Sequence, residues 1–336
     1  MIFMKVLITG AAGFIGCHLS RRLLDSEEGI ELTLVDNLQR GKLDKDFQDI
    51  LNDKRVMFLT FDLTDPDAYR KLGGGYDHVY HLAAVNGTKL FYAIPQEVLR
   101  VNTLSLVYML EWFRKENVQG KLCFTSSNEA YAGGLIAFGQ LPLPTPEKVP
   151  LVIEDTYNPR WSYAATKLVG ELFLIHYAKA YDFRALIVRP HNFYGPRAGY
   201  DHVIPELSLR IAERQDPFVL YGTDDTRTFC YIDDAVRAMQ LLMNSSKTDG
   251  QPIETVHIGD VDEISMGDLA EKMFSVAGWH PKELDVKSSP PGSVKRRLGD
   301  IGKLQSITGW KPEISLNEGL KRTYEWYLKH PKQVPK

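Results

Sequence analysis

The chain has 336 residues, 44% of them hydrophobic and 25% charged, a length that suits two domains better than one core or three. A formal net charge of −3 gives no ground for nucleic acid or an anionic membrane as partner, and no apolar run reaches membrane-spanning length. Nine histidines without metal-ligand spacing, three scattered cysteines (Cys17, Cys123, Cys230) and a first strand that leaves no room for a signal peptide predict a cytoplasmic protein with no bound metal.

Val6, Leu7 and Ile8 read as a buried strand. A turn on Gly10, Gly13 and Gly16 follows, leading into a helix with Phe14, Ile15, Leu19, Leu23 and Leu24 at helical spacing. Glycine removes the Cβ atoms that would keep a pyrophosphate off the backbone, and the helix start offers free N–H groups. The next strand, residues 32–35, ends at Asp36, 20 residues past Gly16. A carboxylate there suits a ribose diol and repels a 2′-phosphate, which favours NAD over NADP. A third strand over 55–61 ends at Asp62-Leu63, within reach of an adenine. A fourth over 79–82 ends in Ala83-Ala84, where small residues admit a cofactor or simply pack tightly. Residues 98–115 have helical spacing, and 121–126 read as a fifth strand.

Polar residues crowd the end of that fifth strand: Thr125-Ser126-Ser127-Asn128-Glu129-Ala130-Tyr131. In open α/β sheets the ligand crevice lies outside the carboxyl ends of the strands, so these side chains are expected to face it. Residues 133–150, rich in Gly and Pro, are predicted to be a loop near the site. The helix over 162–180 carries Tyr163 and Lys167 on one face. A neighbouring ammonium favours the phenolate, so the pair predicts an acid and base with a lowered pKa.

Taken together, TGAAGFIG, HLAA, SSNEAY and YAATK resemble the extended short-chain dehydrogenase/reductases. Downstream, RPHNFYGPR, RTFCYIDDA and RRLGDIGKLQSITGWKP make the chain similar to the nucleotide-sugar epimerase/dehydratase branch over nearly its whole length. The resemblance implies an α/β Rossmann fold, a doubly wound parallel sheet, with a smaller C-terminal α/β domain for the substrate. It implies NAD as cofactor, held by Gly10, Gly13, Phe14, Ile15, Gly16, Asp36, Asn37, Asp62, Leu63, Leu82, Ala83 and Ala84. Tyr163 then matches the catalytic base, and Lys167 the residue that binds the nicotinamide ribose and tunes it. Ser127 matches the group that hydrogen-bonds the sugar hydroxyl being oxidised. Asn102 falls at a position more often structural than chemical. Substrate contacts are implied for Asn128, Asn192 and His202, and Arg227 and Arg297 match arginines that clamp a nucleotide diphosphate. His191 stands where many members carry Phe or Tyr, and an internal polar contact is its expected role.

The resemblance also implies the shared chemistry. Tyr163 removes the proton of the sugar C4 hydroxyl while hydride passes from C4 to bound nicotinamide. Return of hydride to the other face of the ketone inverts C4, and this epimerisation is the leading expectation. Glu129 keeps two alternatives open, because 4,6-dehydratases and uronate decarboxylases more often have Glu there as a base, though it can instead sit in an ion pair or cap a helix. Asn128 cannot donate a carboxylic proton, which counts against dehydration. A net NAD-dependent alcohol dehydrogenase and a non-catalytic NAD sensor are the readings from other classes.

Beyond about Asn192 the pattern loosens. Helices are expected over 201–215, 232–244 and 316–328, and a strand over 218–221. The expected NAD-binding domain is 1–190 with a returning segment about 226–248. The nucleotide-sugar domain is then 191–225 and 249–330. A homodimer through the helix of 98–113 and the Tyr163 helix is implied by the resemblance alone.

Overall fold

The structure, a computed structural model, describes residues 4–139, 141–251, 253–289 and 294–331. Seven parallel strands form the main sheet: β1 (Met4–Thr9), β2 (Ile30–Asp36), β3 (Val56–Thr60), β4 (His78–His81), β5 (Lys121–Thr125), β6 (Arg184–Pro190) and β11 (Glu254–Ile258), in spatial order 11-6-5-4-1-2-3. The order reverses at β1, where β2 and β4 flank it, so a topological switch point opens beside the glycine turn. Register brings the strand ends level: Thr9 stands opposite Val35 and His81, His81 opposite Phe124, and Thr125 opposite Val188.

Side-chain alternation along the strands decides which helices cover which face. Val6 and Ile8 of β1 join one core with α1 (Phe14–Ser26), α2 (Lys45–Leu51) and α8 (Ile232–Asn244). Leu7, pointing the other way, joins a second core with Leu106, Met109 and Leu110 of α4 (Pro95–Glu116) and Leu174 of α6 (Trp161–Tyr181). Both faces of the sheet are therefore buried, as wholly parallel sheets require.

The remaining elements are α3 (Thr88–Ala93), α5 (Glu129–Ala137), α7 (Val203–Ala212), α9 (Met266–Ala277), α10 (Gly302–Thr308) and α11 (Leu316–Lys329), with short strands β7 (Phe193–Tyr194), β8 (Phe218–Tyr221), β9 (Thr226–Thr228), β10 (Cys230–Tyr231), β12 (Glu263–Ser265), β13 (Leu284–Lys287) and β14 (Arg296–Arg297). β9 is the middle strand of a small sheet between β12 and β14. No helix among the described residues is long and apolar enough to cross a membrane. Cys17, Cys123 and Cys230 are free and buried.

Three expectations are corrected. The stretch predicted as loop from 133 begins inside α5, which runs to Ala137. Glycine permits this approach, since a Cβ on Gly133 would lie 2.0 Å from the Val152 carbonyl oxygen. The segment from 249 onward does not stay outside the sheet: β11 pairs in parallel with β6 and supplies its seventh strand. The helix expected over 201–215 is the shorter α7, with His202 at its N-cap.

The returning helix α8 is held by a buried charge. Lys121, 1% exposed at the start of β5, donates from Nζ to the carbonyls of Leu242, Met243 and Ser245 and to Thr248 Oγ1, and pairs with Asp249 at 2.7 Å. A cation at a helix C-terminus meets both the orphan carbonyls and the negative end of the dipole. At the other end of α8, Asp234 accepts from the backbone N–H groups of Glu313 and Ile314 and from Arg237. Replacing Lys121 by Met removes the buried donor from these acceptors and leaves Asp249 only Arg184, 3.6 Å away, and should cost about 3 to 5 kcal/mol in equilibrium urea unfolding. A loss below about 1 kcal/mol would show that this cap does not hold α8.

Candidate active site

The glycine turn is built by close backbone approach. Gly10 has φ +69°, and a Cβ on it would lie 2.8 Å from Ala83 N; one on Gly16 would lie 2.3 Å from the Gly10 carbonyl oxygen. The turn therefore tolerates no side chain at either place, and the first-turn N–H groups of α1 face a cleft with no intrahelical acceptor. Gly10, Gly13, Phe14, Ile15, Gly16, Asp36, Asn37, Asp62, Leu63, Leu82, Ala83 and Ala84, the whole predicted cofactor set apart from Tyr163 and Lys167, line this one cleft.

Asp36 is buried in that cleft. Its Oδ2 accepts from Ala12 N at 3.0 Å and its Oδ1 from Leu38 N at 2.8 Å. One bond per oxygen leaves lone pairs for a ribose diol. Burial pushes its carboxyl up, opposed by those two N–H groups and by Arg197. Arg197 escaped the reading of the sequence. Its guanidinium donates to the Ala12, Gly13 and Lys42 carbonyls and to Asp44 Oδ2, clamping the turn from the β7–α7 connection. No local signal announces a contact across so long a stretch of chain. The donors, the carboxylate and the side-chain-free cradle fit NAD.

Beyond the cleft, α6 presents Tyr163 and Lys167, both buried. Lys167 Nζ donates to the Thr125 carbonyl at 2.7 Å and lies 5.4 Å from the centre of the Tyr163 ring. The expected acidification of Tyr163 by Lys167 is not present. Burial pushes the phenol pKa up, and the Glu129 charge pushes it further, against a hydrogen bond from Ser127 and the Arg40 guanidinium. Phe91 of α3 stacks on the ring with centroids 4.9 Å apart, which excludes water. Burial lowers the Lys167 ammonium to about 7, with Glu171 opposing. Desolvation outweighs the pair interaction that spacing alone suggested.

Glu171 is itself fixed. Arg189 donates to both its oxygens at 2.8 and 2.7 Å, and Ser126 Oγ donates to Oε1 at 2.5 Å. This buried network staples the end of β5, and so Ser127, to α6 and β6. Asn102 adds a second staple. It accepts from Val85 N and donates to the Val85 carbonyl and to Thr166 Oγ1, tying the β4–α3 connection to α6. The structural role expected of Asn102 is the one it has.

Glu129 opens α5 between guanidinium groups. Arg297 Nη1 donates to its Oε1 at 2.7 Å, and Arg160 Nη1 lies 3.5 Å from Oε2. Burial works against the carboxylate charge, but Arg297 and Arg160 outweigh it, so the pKa falls below the usual carboxylate value. Arg227 pairs in register with Arg297 across β9 and β14. Its pKa falls to about 10, through burial first and the Arg297 charge second. Ser127, Asn128, Glu129, Tyr163, Arg227 and Arg297 thus belong to one neighbourhood. Arg160 joins them unannounced, although its place three residues before Tyr163 puts it on the same helical face.

Two predicted substrate residues lie elsewhere or are engaged. His202 lines the glycine-turn cleft beside Gly199 and Arg197. Asn192 (φ +43°) donates its side-chain amide to the Thr228 carbonyl at 2.8 Å, so that donor holds β7 against β9. His191, fully buried, lies 3.4 Å from the Tyr131 hydroxyl through Nε2, the internal contact expected of it. Among the described residues, no three His, Cys, Asp or Glu side chains are placed to share a metal ion.

Residues 6–259 match the model of the NAD dependent epimerase/dehydratase family. The chain is 31% identical over 332 residues to UDP-N-acetyl-alpha-D-glucosaminuronate decarboxylase of Bacillus cytotoxicus, covering 96% of this chain and 97% of that protein. It is 27% identical over 354 residues to dTDP-glucose 4,6-dehydratase of Salmonella typhimurium, covering 98% and 94%. A solved complex of Thermus thermophilus UDP-glucose 4-epimerase with NAD aligns at 27% identity with a TM-score of 0.79, over 96% of this chain and 99% of that one.

The buried Lys167 makes stability depend on pH with a defined sign. Below about 7 both folded and unfolded chains hold its proton, and the folded chain bears the full cost of burying the charge. Between about 7 and the usual 10.5 only the unfolded chain holds it, so wild-type stability rises with pH. Lys167→Met removes that contribution. Its stability relative to wild type should be greatest near about pH 6 and decline toward about pH 10 in urea unfolding. A difference independent of pH would mean that the ammonium is solvated.

Proposed function

Because the chain belongs to the NAD dependent epimerase/dehydratase family, whose cofactor is NAD, we propose that it oxidises a nucleoside-diphosphate sugar at C4 and inverts that carbon. NAD, when bound, supplies the acceptor and later donor of a hydride, so the cycle closes without an external reductant. Tyr163 in its phenolate form takes the proton of the C4 hydroxyl and later returns it; burial makes that form scarce and strongly basic. Ser127 holds the C4 oxygen beside Tyr163, and Arg227 and Arg297 hold the diphosphate. The segments 191–231, 259–289 and 294–331 form the side of the site that receives the sugar nucleotide.

The observation that carries epimerisation over dehydration is the grip of Arg297 and Arg160 on Glu129. Dehydration needs a base to take the C5 proton and an acid to release water from C6. A carboxylate held below its usual pKa by two guanidiniums is a weak base, and Asn128 offers no acidic proton. Decarboxylation of a uronate is the second reading. Loss of carbon dioxide from a 4-keto acid breaks the C5–C6 bond without proton abstraction from carbon, so a weak Glu129 does not oppose it. The match to a uronate decarboxylase supports keeping it.

A homodimer is part of the proposal. α4 and α6 pack side by side, and Leu99, Val169 and Leu172 stand exposed on them, a pattern suited to a four-helix interface. Three buried free cysteines suit the reducing cytoplasm as the place of action.

Product mass separates the reactions. With UDP- and dTDP-sugars, an unchanged mass and an inverted C4 are expected; loss of water or of carbon dioxide would assign a lyase instead, and a net oxidised product with exchanging NAD(H) an alcohol dehydrogenase. Failure to turn over any nucleotide sugar would overturn the proposal. Tyr163→Phe should lower turnover by about 100-fold or more while NAD stays bound, and turnover equal to wild type would remove Tyr163 from the chemistry. Leu172→Glu should shift sedimentation from dimer to monomer; a monomeric wild-type protein would refute the interface.

A further inference from the structure

The neighbourhood of Glu129 holds more hydrogen-bond donors than acceptors. Arg160 Nη1, Arg297 Nε and Asn128 Nδ2 are all buried without a hydrogen-bond partner among the described residues. Arg297 and Asn128 are 7% and 5% exposed, so neither donor turns to solvent. One carboxylate serves both Arg160 and Arg297, while Arg227 has Asp225 at 3.8 Å and spends Nη1 on the Thr226 and Lys295 carbonyls. Three guanidiniums thus face two carboxylates, so the cluster holds more positive than negative charge before a ligand arrives.

The unsatisfied donors lie at the sugar end. Arg160 is the N-cap of α6 and shares a face with Tyr163 one turn later. Asn128 follows Ser127 directly at the start of α5. A sugar whose C4 hydroxyl reaches Tyr163 and Ser127 brings its C5 substituent into this region. A hydroxymethyl group brings one oxygen and a donor of its own, which would add to the donors already crowding Glu129. A carboxylate has no donor and about four acceptor sites. Leaving buried charged donors unpaired costs more than leaving neutral ones.

Resting on the nucleotide-sugar reading, we propose that the sugar bears a carboxylate at C6, and that Arg160, assisted by Asn128 Nδ2, is the residue that selects it. Arg160 is a specificity residue. It stacks on Trp161 with its guanidinium carbon 4.8 Å from the ring, which fixes the plane of the fork before substrate arrives. The proposal holds for a uronate that is epimerised and for one that is decarboxylated, since both must be recognised before C4 is oxidised.

Calorimetric titration of the NAD-loaded protein with UDP, UDP-glucose and UDP-glucuronate, and with the matching dTDP series, tests this. UDP-glucuronate or its dTDP counterpart should bind about 10- to 100-fold more tightly than the glucose compound. Arg160→Leu should erase that advantage and leave the affinity for the nucleoside diphosphate alone within about threefold. Arg160→Lys should keep part of it, because an ammonium retains the charge and loses the fork. Equal or tighter binding of the glucose compound to wild type would overturn the proposal. So would a loss for UDP as large as that for UDP-glucuronate in Arg160→Leu, which would make Arg160 a phosphate ligand. If no compound in either series binds, the nucleotide-sugar reading itself fails and takes the proposal with it. That outcome differs from a preference for glucose.

Discussion

Desolvated positive charge is the constraint on which the candidate site turns. α6 carries Lys167 inward to the end of β5, where burial alone would expel its proton. The Thr125 carbonyl and the Glu171 carboxylate oppose that, and Glu171 is held by Arg189 in a two-pronged pair. A second set of cations, Arg160, Arg227 and Arg297, meets Glu129 where α5 begins. Removing any partner from such a network exposes another buried charge, so the ends of β5, α5 and α6 are locked to one another. The side chains at these ends are therefore set in place before a ligand arrives.

The C-terminal half is oriented by the same means at longer range. Lys121 caps α8 from the first strand position of β5, and Asp234 on α8 gathers the backbone of residues 313–314. Arg197, on the connection into α7, grips the glycine turn itself. Each link is one charged side chain satisfying several backbone groups whose segments would otherwise end in unpaired carbonyls or N–H groups. Through them the cofactor cleft and the arginine cluster are fixed relative to each other, although they are built from opposite ends of the chain.

The Tyr163–Lys167 pair shows how burial can reverse a local inference. Four-residue spacing does put both side chains on one helical face, but the ammonium points to the Thr125 carbonyl and Phe91 covers the phenol ring. Both groups consequently shift toward their neutral forms, the phenol upward and the ammonium downward. Nothing in the spacing of α6 announces α3, whose six residues are too few to show a helical period.

The strand-turn-helix at Gly10 to Gly16, Asp36 at the end of the next strand, and the strand–helix alternation that builds a parallel sheet were all determined by the sequence itself. Each depends on neighbours a few residues apart, on Cβ atoms that are absent and on periodicity, so local order is enough to read it. Only the tertiary structure decided that residues 254–258 complete the sheet, that Arg160 and Arg297 hold Glu129 from positions 137 residues apart in number, and that the donor of Asn192 belongs to Thr228. Proton affinities were decided there too. They depend on how much water and how many charges surround a group, and those are supplied by segments distant in the chain and adjacent only once it has folded.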